Sequence, residues 1–128
     1  MSREIIETAK APGAIGPYSQ AVRVGNAIYC SGQIPLHPET GDLIAGDVAG
    51  QTERVMENLK AVLEAAGAEM RDVVSCTVYL SDMNHFGLMN DVYGRYFQEN
   101  PPSRATVAVA GLPRGVDVEV SCIAVTEA

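Results

Sequence analysis

One segment of the chain repeats its apolar positions at the spacing of an α-helix. From about Asp47 to Ala66, side chains that step by alternating four and three residues share one face, and charged or amide side chains lie away from it. That face consists of Val48, Thr52, Val55, Leu59, Val62 and Ala66. Asp47 suits the N-cap and Gly67 suits the C-terminal stop, so the segment predicts a helix with one face on a sheet.

A second helix is predicted from about Met83 to Gln98, with Ser81 or Asp82 as its cap. Two prolines follow Asn100 and end it, because proline lacks the N–H that would continue the turn. The side chains that we expect to be buried form a mostly aromatic stripe: Phe86, Met89, Tyr93, Tyr96 and Phe97.

Strand-like runs, rich in β-branched residues and bounded by turn formers, account for much of the remaining chain. They cover 4–8, 19–24, 27–34, 73–80, 104–110 and 116–125. Gly25-Asn26 predicts a tight hairpin, and the segment from Leu112 to Gly115 predicts a second hairpin between the last two strands. The order of elements favours an α+β fold in which both helices cover one face of a sheet.

The last two strands have little polar surface on either face. Strands that are apolar on both faces are usually covered on both. Two helices can cover only one face, so we expect another copy of the chain to cover the other face in a homo-oligomer.

Composition and charge narrow the class of protein to which the chain can belong. The length of 128 residues suits one domain spanning 1–128, and the net charge of −7 argues against a nucleic-acid partner. No apolar run approaches the roughly 20 residues that span a bilayer, and the N-terminus lacks a signal-peptide pattern, so we expect a cytoplasmic protein without membrane contact. Cys30, Cys76 and Cys122 lie in predicted strands and are expected to be small buried residues, neither disulfide-bonded nor metal-binding.

Arg104 and Glu119 are the charged pair that most suggests chemistry. The planar guanidinium of arginine matches a carboxylate with two parallel hydrogen bonds, and a glutamate can activate water. A hairpin turning near Pro113 would place Glu119 opposite Thr106 and diagonal to Arg104, on the same face. The alternative is a solvent-exposed ion pair with no further role.

Other polar residues have two interpretations as well. Asn90 lies on the apolar side of the second helix, where an asparagine must find hydrogen-bond partners. Ser31 and Gly32 end a strand where the absence of a side chain permits close approach, and Tyr18 ends a loop rich in glycine and proline. Each residue could serve packing or turn formation alone, or could line one pocket.

Several blocks together resemble the signature of the Rid family, also called the YjgF family, over essentially the whole chain. The blocks are 14–20 (AIGPYSQ), 31–35 (SGQIP), 58–67 (NLKAVLEAAG), 102–107 (PSRATV) and 118–120 (VEV). The match is closest to the RidA branch of enamine and imine deaminases. The resemblance implies a chorismate-mutase-like fold, with a mixed sheet of about six strands and two helices on one face, assembled as a homotrimer with sites between subunits.

The resemblance also implies roles for the residues named above. Arg104 matches the arginine that grips the substrate carboxylate, and Glu119 matches the glutamate that positions water. The other matching residues line the cleft: Tyr18 and Ser31 are expected to take part in catalysis, and Gly32, Asn90 and Thr106 are expected to bind substrate. Many relatives carry cysteine where this chain has Thr106; threonine keeps the backbone N–H contact, whereas a thiol-based proton relay or redox control would be absent or taken over by the hydroxyl.

The implied reaction needs neither a metal nor an organic cofactor. Reactive 2-aminoacrylate or 2-aminocrotonate would tautomerise to an imine and be hydrolysed to a 2-keto acid and ammonium. One alternative is a trimer that only binds keto acids. The other, which the acidic charge disfavours, is the ribonuclease or translation-inhibitor activity attributed to some relatives.

Overall fold

The computed structural model describes residues 2–127, so the two terminal residues of the expected 1–128 domain lie outside the described part. It contains six strands and two α-helices. The strands are β1 (Arg3–Ile6), β2 (Ala21–Val24), β3 (Ala27–Gln33), β4 (Val73–Leu80), β5 (Ser103–Ala108) and β6 (Val118–Val125). The helices are α1 (Val48–Ala65) and α2 (Phe86–Tyr96). The predicted α+β class, with six strands and two helices, is confirmed.

The six strands form one mixed sheet in the order β1-β2-β3-β6-β4-β5. β4 and β5 are parallel, and every other neighbouring pair is antiparallel. The predicted hairpin at Gly25-Asn26 is confirmed by the pairing of Val24 with Ala27.

The predicted hairpin between the last two strands is wrong. β6 pairs with β3 and β4, and β4 separates it from β5. α2 returns the chain from the end of β4, so that β5 lies parallel to β4 at the edge of the sheet. β6 then occupies the position between β3 and β4, where it gains two strand partners instead of one.

The first predicted helix is confirmed within one residue at each end. All six side chains of its predicted face are buried. The Asp47 side chain accepts a hydrogen bond from the Gly50 N–H at 3.1 Å, and this satisfies one of the free donors of the first turn. Gly67 follows the helix with φ of +83°, a left-handed conformation that favours glycine.

The second predicted helix begins with a separate 3₁₀ turn, Met83–His85, which Asp82 caps through the Asn84 N–H at 2.8 Å. α2 itself is shorter than predicted, and Phe97 closes it. Of the predicted stripe, Met89, Tyr93 and Phe97 are buried, whereas Phe86 and Tyr96 pack partly exposed against the core.

The two faces of the sheet differ in cover. Side chains toward the helices form the core, and on β6 these are Val118, Val120, Cys122 and Ala124. The opposite side, called the open face below, carries Glu119, Ser121 and Ile123 on β6. It also leaves large apolar side chains about half exposed: Tyr29, Val107 and Val125.

The cysteines behave as predicted for buried apolar residues. Cys30, Cys76 and Cys122 are all free thiols on the core side of the sheet. Among the described residues, neither helix is long and apolar enough to cross a membrane.

Candidate functional site

Arg104 lies on the edge strand β5 and points to the helix side of the sheet. Its Nη1 donates a 2.7 Å hydrogen bond to Asn90 Oδ1 on α2. The guanidinium carbon lies 4.8 Å from the centre of the Tyr93 ring and 5.5 Å from that of Phe86. The side chain is therefore held on one side by α2, while the residue remains exposed to solvent.

Thr106 lies two residues along β5 on the same side as Arg104. Its hydroxyl oxygen is buried, and none of the described residues offers it a hydrogen bond. Arg104, Asn90 and Thr106 are called the Arg104 cluster below. Three of the residues predicted from the sequence thus come together at the sheet edge.

Glu119 lies on β6 and points to the open face of the sheet. Its carboxylate rests against Gly32: a Cβ added to Gly32 would overlap this carboxylate and lie 2.9 Å from Cδ. The close approach explains a glycine in the strand, because any larger residue would displace the carboxylate. Partial burial raises the pKa of Glu119 above its ordinary value, since desolvation disfavours the charged form.

Ser31 lies next to Gly32 and faces the same space. Its hydroxyl donates to the Ser19 carbonyl at 2.6 Å, and its backbone N–H donates to the Gln20 carbonyl at 2.9 Å. Ser31, Gly32 and Glu119 line a cavity of about 530 Å³ on the open face. Together with Tyr18 they are called the Glu119 cluster below.

Tyr18 lines an adjoining cavity of about 250 Å³, which shares Gly32 with the first. It is 53% exposed, and its hydroxyl accepts a 3.4 Å hydrogen bond from the Ile15 N–H. The ring thus stands at the rim, available to a ligand or to a neighbouring chain.

Gln20 is a supporting residue that our sequence reasoning missed. It is buried, accepts a hydrogen bond from the Thr8 N–H at 2.7 Å and donates to carbonyls of Thr8, Ala11 and Pro12. These bonds fasten the loop that carries Tyr18 to the start of β2. The sequence offers little to single it out, because the predicted strand 19–24 also contains the polar residues Ser19 and Arg23.

Tyr79 was also missed. It pairs with Glu119 across β4 and β6 and lines the 530 Å³ cavity. Its position depends on the pairing of β4 with β6, which joins residues far apart in the chain.

Arg104 and Glu119 do not meet within one chain. The expectation that they share a face is wrong, because Arg104 points toward α2 and Glu119 points away from both helices. β4 also lies between their strands, so the two are separated by about two strand spacings, roughly 10 Å, as well as by the sheet itself. The Arg104 cluster and the Glu119 cluster therefore lie on opposite faces of the sheet.

Within residues 2–127, no group of three or more histidine, cysteine or acidic side chains is arranged to hold a metal ion. What the two clusters offer is a guanidinium on one side and, on the other, a partly desolvated carboxylate among hydroxyl groups. These are the groups for binding an anion and for moving protons.

Comparison with known proteins identifies the family. The family model described as endoribonuclease L-PSP, which represents the Rid (YjgF) family, matches residues 8–126. The chain belongs to the Rid family. The resemblance of the sequence blocks is thereby confirmed.

Individual Rid proteins match along nearly their whole length. A RutC family protein of Pyrococcus abyssi is 54% identical, with 99% of this chain and 100% of the relative covered. The mouse 2-iminobutanoate/2-iminopropanoate deaminase is 50% identical, with 96% and 91% covered. The crystal structure of Escherichia coli TdcF with bound serine superposes with a TM-score of 0.93 at 45% identity, covering 97% of this chain and 99% of that one.

Proposed function

We propose that this Rid protein is a deaminase that hydrolyses small reactive 2-imino acids, such as those formed from 2-aminoacrylate and 2-aminocrotonate, to 2-keto acids and ammonium. The observation that carries the proposal is the guanidinium of Arg104, which is anchored by Asn90 with most of its donors free. Relatives at about 50% identity bear the name of this activity.

The Arg104 cluster suits the substrate carboxylate. Arginine has five N–H donors, and Asn90 uses one of them. The remaining edge can form two parallel charge-assisted hydrogen bonds with a carboxylate. Such a grip fixes both the position and the orientation of the imine carbon, which lies one bond from the carboxylate.

The Glu119 cluster is suited to activating the water that attacks the imine. An ionised Glu119 would accept a proton from the water as the water oxygen attacks the imine carbon. The π electron pair of the C=N bond moves to the nitrogen, which takes up a proton, so that a carbinolamine forms. Glu119 then accepts the hydroxyl proton of this carbinolamine and passes a proton to its amino group, so that the C–N bond breaks, ammonia leaves and the C=O bond of the keto acid forms; the ammonia takes up a proton from solvent to give ammonium. The raised pKa of Glu119 makes it a better base than an ordinary carboxylate.

Both clusters reach one substrate only if two chains cooperate. We propose a homotrimer in which the open face of one subunit is covered by its neighbour, so that the edge strand β5 of one chain brings Arg104 to the Glu119 cluster of the next. The half-exposed apolar residues Tyr29, Val107 and Val125 support such a contact.

The second candidate function is a binding protein for keto acids that performs no hydrolysis. The TdcF structure, which holds bound serine, favours some form of small-metabolite binding in the family. The two functions differ in their need for Glu119: hydrolysis requires a base, whereas carboxylate binding by Arg104 does not.

A coupled assay tests the proposal. Threonine dehydratase generates the imine, semicarbazide competes for it, and keto acid formation is followed as the purified protein is added. The parent should accelerate keto acid release, while Arg104→Ala and Glu119→Gln should not. Arg95→Ala, which removes an exposed arginine of α2 outside both clusters, serves as the control and should match the parent.

The outcome separates the two functions. Unchanged keto acid release at every concentration of the parent would reject the deaminase. Calorimetry would then measure the affinity for 2-ketobutyrate. An affinity that is lost in Arg104→Ala and kept in Glu119→Gln would support the binding protein.

A further inference from the structure

Three side chains of α2 face the guanidinium of Arg104. Phe86, Asn90 and Tyr93 are spaced by four and three residues, so they lie along one face of the helix. Asn90 supplies the hydrogen bond, and the two aromatic rings lie 5.5 Å and 4.8 Å from the guanidinium carbon. The nearer ring is also the better fixed one, because Tyr93 is only 5% exposed.

We propose that Tyr93 is a positioning residue, whose ring forms the floor on which the Arg104 guanidinium is held ready for a substrate carboxylate. The inference rests on the proposed function for its meaning in catalysis. An aromatic face within about 6 Å attracts a guanidinium and also provides a flat surface for it. A single hydrogen bond to Asn90 leaves the guanidinium free to swing about that contact, and the ring removes this freedom.

The packing around Tyr93 makes the floor rigid. Its ring lies against Phe97 with centroids 4.9 Å apart, and the residue belongs to the hydrophobic core. On the sheet side it meets Cys76, whose register partner on β5 is Arg104 itself. Movement of the guanidinium away from the ring would therefore expose a buried surface, whereas movement of the ring would disturb the core.

The ring of Tyr93, not its hydroxyl, performs this role. The hydroxyl oxygen is buried beside the Cys76 thiol, and it has no hydrogen-bond partner of ordinary geometry among the described residues. Burial raises the pKa of Tyr93, so the hydroxyl stays neutral and does not compete with the carboxylate for Arg104. Removing the oxygen should thus leave the guanidinium where it is.

Paired substitutions test the inference in the coupled assay. Tyr93→Leu should raise KM about threefold to thirtyfold, the range expected for loss of a cation–π contact at exposed to desolvated sites, with a smaller change in kcat. Tyr93→Phe keeps the ring and should restore KM to the parental value. Tyr96→Leu is the matched control, because it makes the same change on α2 at a tyrosine whose hydroxyl donates a hydrogen bond to Glu57. It should lower the stability of the protein without altering KM.

A parental KM in Tyr93→Leu would overturn the inference. So would an equal rise of KM in Tyr93→Leu and Tyr96→Leu, because the effect would then reflect general loosening of the helix.

A second measurement needs no substrate and separates this inference from the proposed function. Nitrogen-15 NMR of the arginine side chain, assigned by comparison with Arg104→Ala, should show slow guanidinium rotation and ring-current shifts in the parent and in Tyr93→Phe. Both signatures should disappear in Tyr93→Leu. Identical Arg104 spectra in the parent and Tyr93→Leu would refute the floor, whether or not the protein hydrolyses imines.

Discussion

The placement of Arg104 and Glu119 on opposite faces of one sheet leads to a prediction about mixtures of two inactive variants. In the proposed mechanism, Arg104→Ala lacks the group that binds the substrate carboxylate, and Glu119→Gln lacks the base. If each site takes Arg104 from one chain and Glu119 from its neighbour, a mixed assembly contains some sites in which both groups are intact. If each chain formed its own site, every site in the mixture would lack one group.

The magnitude follows from the geometry of a ring of identical subunits. In a random equal mixture, a site is intact when one neighbour is the Glu119→Gln chain and the other is the Arg104→Ala chain, in the correct order. Each condition is met half the time, so about one quarter of the sites should work. The mixture should therefore recover about one quarter of the parental activity per chain.

The assay is keto acid release after the two variants are unfolded together and refolded, or after their co-expression with different tags. The matched control mixes the parent with the Arg104→Ala/Glu119→Gln double variant. Shared sites would leave about one quarter of the activity in that control, whereas sites within one chain would leave about one half.

Two results would refute the reasoning. One is a mixture as inactive as its components although tag capture shows that chains have exchanged. The other is a control that retains half of the parental activity after the same exchange. Either result would mean that Arg104 and Glu119 do not serve one site from two chains.

The remaining predictions concern single residues. Asn90→Ala should raise KM about tenfold in the coupled assay, because it removes a charge-assisted hydrogen bond to Arg104 that is worth roughly 1.5 kcal/mol; an unchanged KM would count against the anchor. Gly32→Ala should abolish most activity, since its Cβ would overlap the Glu119 carboxylate. Gly94→Ala, on an open part of α2, is the control: it should keep full activity, and thermal melts should show neutral or slightly raised stability. The raised pKa of Glu119 should shift the acid limb of kcat/KM above the ordinary glutamate value of about 4.3, because the base is lost as pH falls through that pKa; a limb at or below this value would contradict it.

The local elements of the fold were predictable from the sequence because each depends on neighbouring residues. The helical face from Val48 to Ala66 and its ends at Asp47 and Gly67 follow from periodicity and capping chemistry. The hairpin at Gly25-Asn26 follows from the turn residues alone. The observed bounds differ from the expected ones mainly at the ends of the elements, where a few backbone hydrogen bonds decide the limit.

The pairing of the last strands was not predictable in the same way. A short segment between two strands usually forms a hairpin, and Leu112–Gly115 contains the residues for one. The order of strand, helix and strand from β4 through α2 to β5 is typical of a parallel pair, but no local signal indicates that β6 occupies the position between β3 and β4. The same pairing places Tyr79 beside Glu119. The wrong strand pairing therefore also led to a wrong prediction of which residues surround Glu119.

The sheet topology explains how one small chain gives Arg104 and Glu119 different environments. The edge strand β5 lets Arg104 rest on the buried ring of Tyr93 and the partly exposed ring of Phe86, while its outer side stays open to an anion. The central strand β6 places Glu119 on the open face, and cover by a neighbouring chain, as proposed, would deepen the desolvation that raises its pKa. Within one chain the two groups thus occupy separate environments, and the proposed assembly would bring them to one substrate.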